Sequence, residues 1–186
     1  GFVFHPSSPR FVEPKRARDI GSALDGSGVM RVGVFVEGGP DDVMRAAEIA
    51  GLDMLQIYDT GLAAAMEGFL PVIRAYRLKD ATDAARVQSP VPGGYALVDA
   101  WSPRAFGGAG RALPGEALRA LPLRENVIVA GGIGAHNAAS LIAEFAPWGI
   151  DVSSGIEDGP GMKSKIKMEQ LMAIIEEASR HETTAG

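Results

Sequence analysis

Residues 126–161 read NVIVAGGIGAHNAASLIAEFAPWGIDVSSGIEDGPG, and this stretch decides the fold. It holds two short apolar runs, 127–130 and 149–152, β-branched and without polar alternation. Strands buried on both faces of a parallel sheet have this pattern. The first run ends in Gly131-Gly132 and leads into a helical pattern; the second ends in Ser153-Ser154-Gly155. Small residues at the carboxyl ends of neighbouring parallel strands let backbone N–H groups approach a ligand closely and form a cradle for a phosphate. Gly131, Gly132, Ser153, Ser154 and Gly155 are therefore the candidate anion-binding residues. Plainer readings compete with this one: glycine for a turn that needs positive φ, and serine as a helix cap.

Outward from this stretch the same alternation recurs. Strand material lies at 1–4, 30–36 (MRVGVFV), 52–58 (LDMLQIY), 71–78 (PVIRAYRL) and 95–100 (YALVDA). Pro14 suits the first position of a helix running to about residue 24. Asp41 and Asp42 suit the first turn of the next, which Gly51 ends. Short helical segments follow at 62–68, 79–85 and 114–121, and a longer one at 135–145. The last helix starts near Ser164, with an apolar stripe at Ile166, Leu171, Ile174 and Ile175, and residues 181–186 read as a frayed tail. Because the chain opens on strand material, a further element is expected before it.

Strict alternation implies a parallel sheet with right-handed crossovers. An open doubly wound sheet and an eight-stranded barrel both satisfy that rule. Dinucleotide folds carry their glycines after the first strand, whereas barrels often bind phosphate with the loops after their last two. The glycines here come late. The prediction is an α/β chain of (βα)8 TIM-barrel type, a single domain over 1–186, with seven of the eight βα units present.

With 186 residues, 46% of them hydrophobic, the chain has enough material for one sizeable core. A net charge of −5 argues against nucleic acid or an anionic membrane surface as partner. No cysteine is present, so neither a disulfide framework nor a thiolate metal site is expected. No apolar run is long enough to span a bilayer, and the cytoplasm is the expected location.

The residues resemble the phosphoribosylanthranilate isomerase family of tryptophan biosynthesis. The likeness rests on GFVF-x-x-x-SPR-x-V at 1–12, VGVFV at 32–36, the strand of Gln56, VIRA at 72–75 and LVDA at 97–100. It continues in FGG-x-G at 106–110, AGGI at 130–133 and DVSSGIE-x-x-PG-x-K at 151–163. Each motif is weak alone, but together they cover nearly the whole chain in order. The resemblance implies the eight-stranded barrel, with these seven strands as the second to eighth. In the family the first strand ends in Cys-Gly, whose cysteine is the general base.

The implied reaction is an Amadori rearrangement of an aminoaldose phosphate to an aminoketose phosphate, with no cofactor and no metal. It needs an acid for the ring oxygen and a base for the C2 proton. The resemblance makes Asp99 the acid, against a plainer reading as a loop cap. It pairs Arg10 with the anthranilate carboxylate, against a reading as a surface arginine. Gly108, with Gly107 and Gly110, reads as a loop over the substrate. Asp151 is read equally as orienting its neighbours or as structural. Glu157 and Lys163 match family positions without a direct role, and the family's usual histidine after Gln-Leu is replaced here by Tyr58. His5 and His136 read as surface residues.

The implied partner is a phosphorylated small molecule, with neither nucleic acid nor membrane, and a homodimer is left open. The competing reading is a truncated, non-catalytic phosphate-binding barrel, or a partner that takes its first strand from another chain.

Overall fold

The computed structural model describes residues 1–88, 94–100, 113–122 and 125–184. Strands and helices alternate from the start: β1 (Phe2–Val3), α1 (Pro14–Gly21), β2 (Val32–Phe35), α2 (Pro40–Ala50), β3 (Met54–Ile57), α3 (Thr60–Ala65) and β4 (Val72–Leu78). They continue through α4 (Ala81–Ala84), β5 (Tyr95–Ala100), α5 (Gly115–Arg119), β6 (Val127–Val129), α6 (Ala138–Phe145) and β7 (Gly149–Ile150). A small hairpin, β8 (Glu157–Gly159) with β9 (Met162–Lys163), precedes α7 (Lys165–Thr184). The sheet has seven strands in the order β1-β2-β3-β4-β5-β6-β7, as α/β folds of TIM-barrel type require. The recorded registers are parallel, with Gly33 opposite Leu55, and Val129 opposite Ile150.

Contacts divide the chain into two compact units, residues 1–75 with 90–95, and residues 76–89 with 96–186. In the first unit, Phe35, Leu55 and Ile57 pack against Ala17, Val43, Ala47, Leu62 and Met66 of the flanking helices. Val43, Ala47 and Ala50 recur at helical spacing on α2 and are all buried. That helix carries its boundaries in its sequence. Pro40 occupies its first turn with Asp41 and Asp42, and Gly51 closes it at φ 63°, donating to the carbonyls of Ala47 and Glu48. The starts of β2 and β3 are clamped by Arg31. Its backbone N–H donates to Asp53 Oδ2 at 2.6 Å and its Nε to the same oxygen at 3.2 Å.

In the second unit, Val98, Val127 and Val129 face Ala117, Leu118, Ala138 and Leu171. Ile174 and Ile175 join this core, but Ile166 does not: it is 67% exposed, so the stripe expected on the last helix begins one turn later. That helix runs on to Thr184, where a frayed tail was expected from residue 181. The hairpin was not expected either. Its strands are short and polar, and carry no apolar period to betray them.

Candidate functional site

Strand alternation decides which side chains are free for chemistry. Ala96, Val98 and Ala100 of β5 face the helices of their unit, so Leu97 and Asp99 take the other face. Asp99 sits one residue from the strand's end and is 5% exposed. The exit of β6 lies against it. Gly131 and Gly132 have φ of 93° and 60°, conformations that favour glycine. A Cβ on Gly131 would lie 2.9 Å from Asp99 Oδ1 and 3.0 Å from the backbone nitrogen of Ala100, so the close approach excludes any side chain.

Asn137 fixes the shape of this loop. Its Oδ1 accepts from the Gly134 N–H at 2.9 Å and its Nδ2 donates to the Gly132 carbonyl at 3.1 Å. The residue was not singled out from sequence, although an asparagine just before a helical run is a capping signal. Here the amide reaches back into the loop instead of forward into α6.

The loop after β7 meets the loop after β6. Gly155 passes so close to the Ile133 carbonyl that a Cβ would collide with it, and the Cα of Gly134 lies beside it. The structure thus places Gly131 and Gly132 in one loop and Ser153, Ser154 and Gly155 in another, and the two touch where Gly155 meets Ile133 and Gly134. Behind Ser153 stands the hairpin. Glu157, whose side chain is 3% exposed, accepts from Lys163 Nζ at 2.8 Å. Lys163 Nζ also donates to the Ser153 carbonyl at 3.3 Å, and Lys167 Nζ to the Glu157 carbonyl at 2.7 Å. Asp151 is reached by solvent, yet its carboxyl is crowded by protein atoms. The lost hydration raises its pKa above the ordinary carboxylate value, and positive charge nearby, Lys163 included, acts the other way.

In the first unit, Phe2 and Phe4 pack toward the helices, so Val3 and His5 take the opposite face. His5 is therefore not the surface residue expected: it is 6% exposed, with Nδ1 3.5 Å from Glu37 Oε1. The loop that follows is tied by its own backbone. Ser8 N–H donates to the His5 carbonyl at 2.9 Å, and Val12 N–H to the Val3 carbonyl at 3.0 Å. Arg10 N–H donates to Ser8 Oγ at 3.1 Å, which sets the backbone from which the half-buried Arg10 side chain projects. Gln56 is 6% exposed on the helix-free face of β3, its amide 3.5 Å from the Tyr58 hydroxyl. His136 is exposed, and Gly108 lies outside the described residues.

The chain is of the α/β TIM-barrel class, in which the loops after the last two strands frequently hold a phosphate. Residues 1–173 match the family described as N-(5'phosphoribosyl)anthranilate (PRA) isomerase, and the chain belongs to that family. It is 40% identical over 168 residues to the N-(5'-phosphoribosyl)anthranilate isomerase of Rubrobacter xylanophilus, covering 88% of this chain and 81% of that one. The Pelobacter propionicus isomerase is 34% identical over 185 residues, covering 99% and 87%. Among solved structures, the Thermus thermophilus phosphoribosyl anthranilate isomerase superposes with a TM-score of 0.81 at 35% identity, covering 95% and 86%. A phosphoribosyl anthranilate isomerase in complex with reduced 1-(o-carboxyphenylamino)-1-deoxyribulose 5-phosphate superposes at 0.76 with 26% identity, covering 95% and 86%.

Proposed function

We infer that the protein is an N-(5'-phosphoribosyl)anthranilate isomerase, acting in tryptophan biosynthesis. Besides family membership, the observation that carries this reading is the Asp99 carboxyl lying against the Gly131 turn. An acid and a loop of backbone donors side by side suit a sugar phosphate whose ring must be opened.

Asp99 is the general acid. It protonates the furanose ring oxygen as the C1–O bond breaks, which leaves the open-chain imine of the anthranilate nitrogen. A base then removes the C2 proton to give the enaminol, and tautomerisation yields the aminoketose. In the family this base is a cysteine, and residues 1–186 contain none. Substrate and product are isomers, so the net reaction needs no external oxidant or reductant. Gly131, Gly132, Ser153, Ser154 and Gly155 hold the phosphate, Gly108 belongs to a loop over the substrate, and Arg10 receives the anthranilate carboxylate. The partner is thus a phosphorylated small molecule, and the cytoplasm is the compartment that suits a biosynthetic step of this kind. A homodimer is the assembly to test, since a Thermotoga maritima relative is described as dimeric.

Turnover of N-(5'-phosphoribosyl)anthranilate tests the reading, measured on this chain joined to a relative's first strand so that the base is present. A folded, phosphate-binding protein without turnover would instead be the non-catalytic phosphate binder.

A further inference from the structure

We propose that Lys163 and Glu157 are positioning residues for the phosphate end of the substrate, through the Ser153 carbonyl. This rests on the phosphate site named above. The pair is unusual for its place. Glu157 is a carboxylate with a side chain 3% exposed, and its ion-pair partner Lys163 is 42% exposed at 2.8 Å. Taking a carboxylate out of water is unfavourable, and apolar side chains of similar size hold a hairpin equally well. Stability alone therefore does not account for a charge in this position.

The second contact of Lys163 does. Its Nζ donates to the Ser153 carbonyl at 3.3 Å, and the Ile156 N–H donates to that same oxygen at 3.4 Å. A trans peptide is planar, with its N–H directed opposite its C=O. Pinning the Ser153 oxygen toward the hairpin therefore turns the Ser154 N–H the other way, and sets the donor direction of the Ser153-Ser154-Gly155 loop. Glu157 holds Lys163 in place for this. Glu157 is itself held by Lys167, whose Nζ reaches the Glu157 carbonyl at 2.7 Å and Asp158 Oδ1 at 2.9 Å. Ser164 N–H closes the base of the hairpin on the Ile156 carbonyl at 2.8 Å. On the other side, Gly155 is pressed against the Ile133 carbonyl. The loop is braced from both ends, and Lys163 sets its orientation.

Inorganic phosphate binding, measured by calorimetry, tests this without relying on turnover. Lys163→Met raises the phosphate Kd and the KM for the phosphorylated substrate together, by about tenfold, the loss of one oriented charge-assisted hydrogen bond. kcat is expected to stay within about threefold, since the reacting carbons are not touched. Lys163→Arg restores most of the phosphate affinity. Glu157→Gln combined with Lys163→Met removes the buried charge as well, so this variant folds even if the single one does not, and it shows the same weakened binding. A lowered melting temperature with unchanged phosphate Kd in either variant overturns the proposal, and so does an unsubstituted protein that binds no phosphate. If the unsubstituted protein, joined to a relative's first strand, binds phosphate but does not isomerise, the isomerase reading fails, and the phosphate Kd values alone still decide this one.

Discussion

At the scale of single residues, Asp99, the proposed acid, lies against the Gly131 turn. Asp99→Asn keeps the shape of a buried, 5% exposed side chain and removes its acidity. Turnover is expected to fall by about 10² or more, the usual contribution of general acid catalysis, with phosphate binding intact. Full activity in that variant would remove Asp99 from the acid role. Asn137 carries a different prediction. Asn137→Ala removes both the Oδ1 and the Nδ2 contacts that shape the glycine loop. KM is expected to rise by about tenfold, with a stability loss of about 1–3 kcal/mol from the unpaired loop groups. An unchanged KM would show that the glycine backbone holds its shape alone. How legible such residues are depends on where their signal lies. Gly131 and Gly132 announce themselves because positive φ selects glycine, whereas Asn137 acts by reaching back within its own loop, which leaves no spacing pattern. His5 was legible and misread: the alternation of Phe2, Val3, Phe4 and His5 already put it on the helix-free face.

At the scale of elements, boundaries were readable wherever backbone chemistry sets them. Asp41, Asp42 and Gly51 bracket α2 as expected, and Pro40, read as the end of the loop before it, is its first residue. The hairpin of β8 and β9 escaped because its strands are two or three residues long and its side-chain contacts, through Lys163, Glu157 and Lys167, follow no apolar period. Helix α6 ends on Ala146 at φ 41°, a left-handed conformation that an alanine adopts at a disadvantage of about 1–2 kcal/mol. Ala146→Gly relieves this and gives glycine more freedom in the unfolded chain, for a net gain of up to about 1 kcal/mol in the free energy of urea unfolding. A loss of stability would contradict that balance.

Carboxylates held by hydrogen bonds and ion pairs set the acid limit. The Arg31 side chain and backbone hold Asp53 below its usual value of 3.8. The backbone N–H groups of Asp83 and Thr82 do the same for Asp80, and Lys167 for Asp158. A carboxylate with a lowered folded pKa contributes stability above its unfolded pKa and loses it as pH falls through the folded one. Asp151, with its raised pKa, has the opposite sign and regains stability on protonation. Asp53, held directly by Arg31, is the carboxylate whose pairing is lost on acidification, so the melting temperature is expected to drop as pH falls below about 4. Asp53→Asn is expected to lower stability at neutral pH and to flatten this acid slope; an unchanged slope would place the acid sensitivity elsewhere.

At the scale of the whole molecule, the order of the elements and the position of the glycines were enough to choose the fold class. Seven strands alternate with helices, and the glycine loops follow the last two barrel strands, β6 and β7. The sequence carried less about bracing, because the contacts between Gly155 and Ile133, or Lys163 and Ser153, join residues that no periodicity relates. The central claim is that Asp99 is the acid of an N-(5'-phosphoribosyl)anthranilate isomerase. Steady-state turnover of that substrate by the unsubstituted protein and by Asp99→Asn, each joined to a relative's first strand so that the base is present, with inorganic phosphate titrated into both, tests it most directly. The account predicts turnover in the first, a loss of about 10² or more in the second, and equal phosphate affinity in the two. Phosphate binding without turnover in the unsubstituted protein would contradict it.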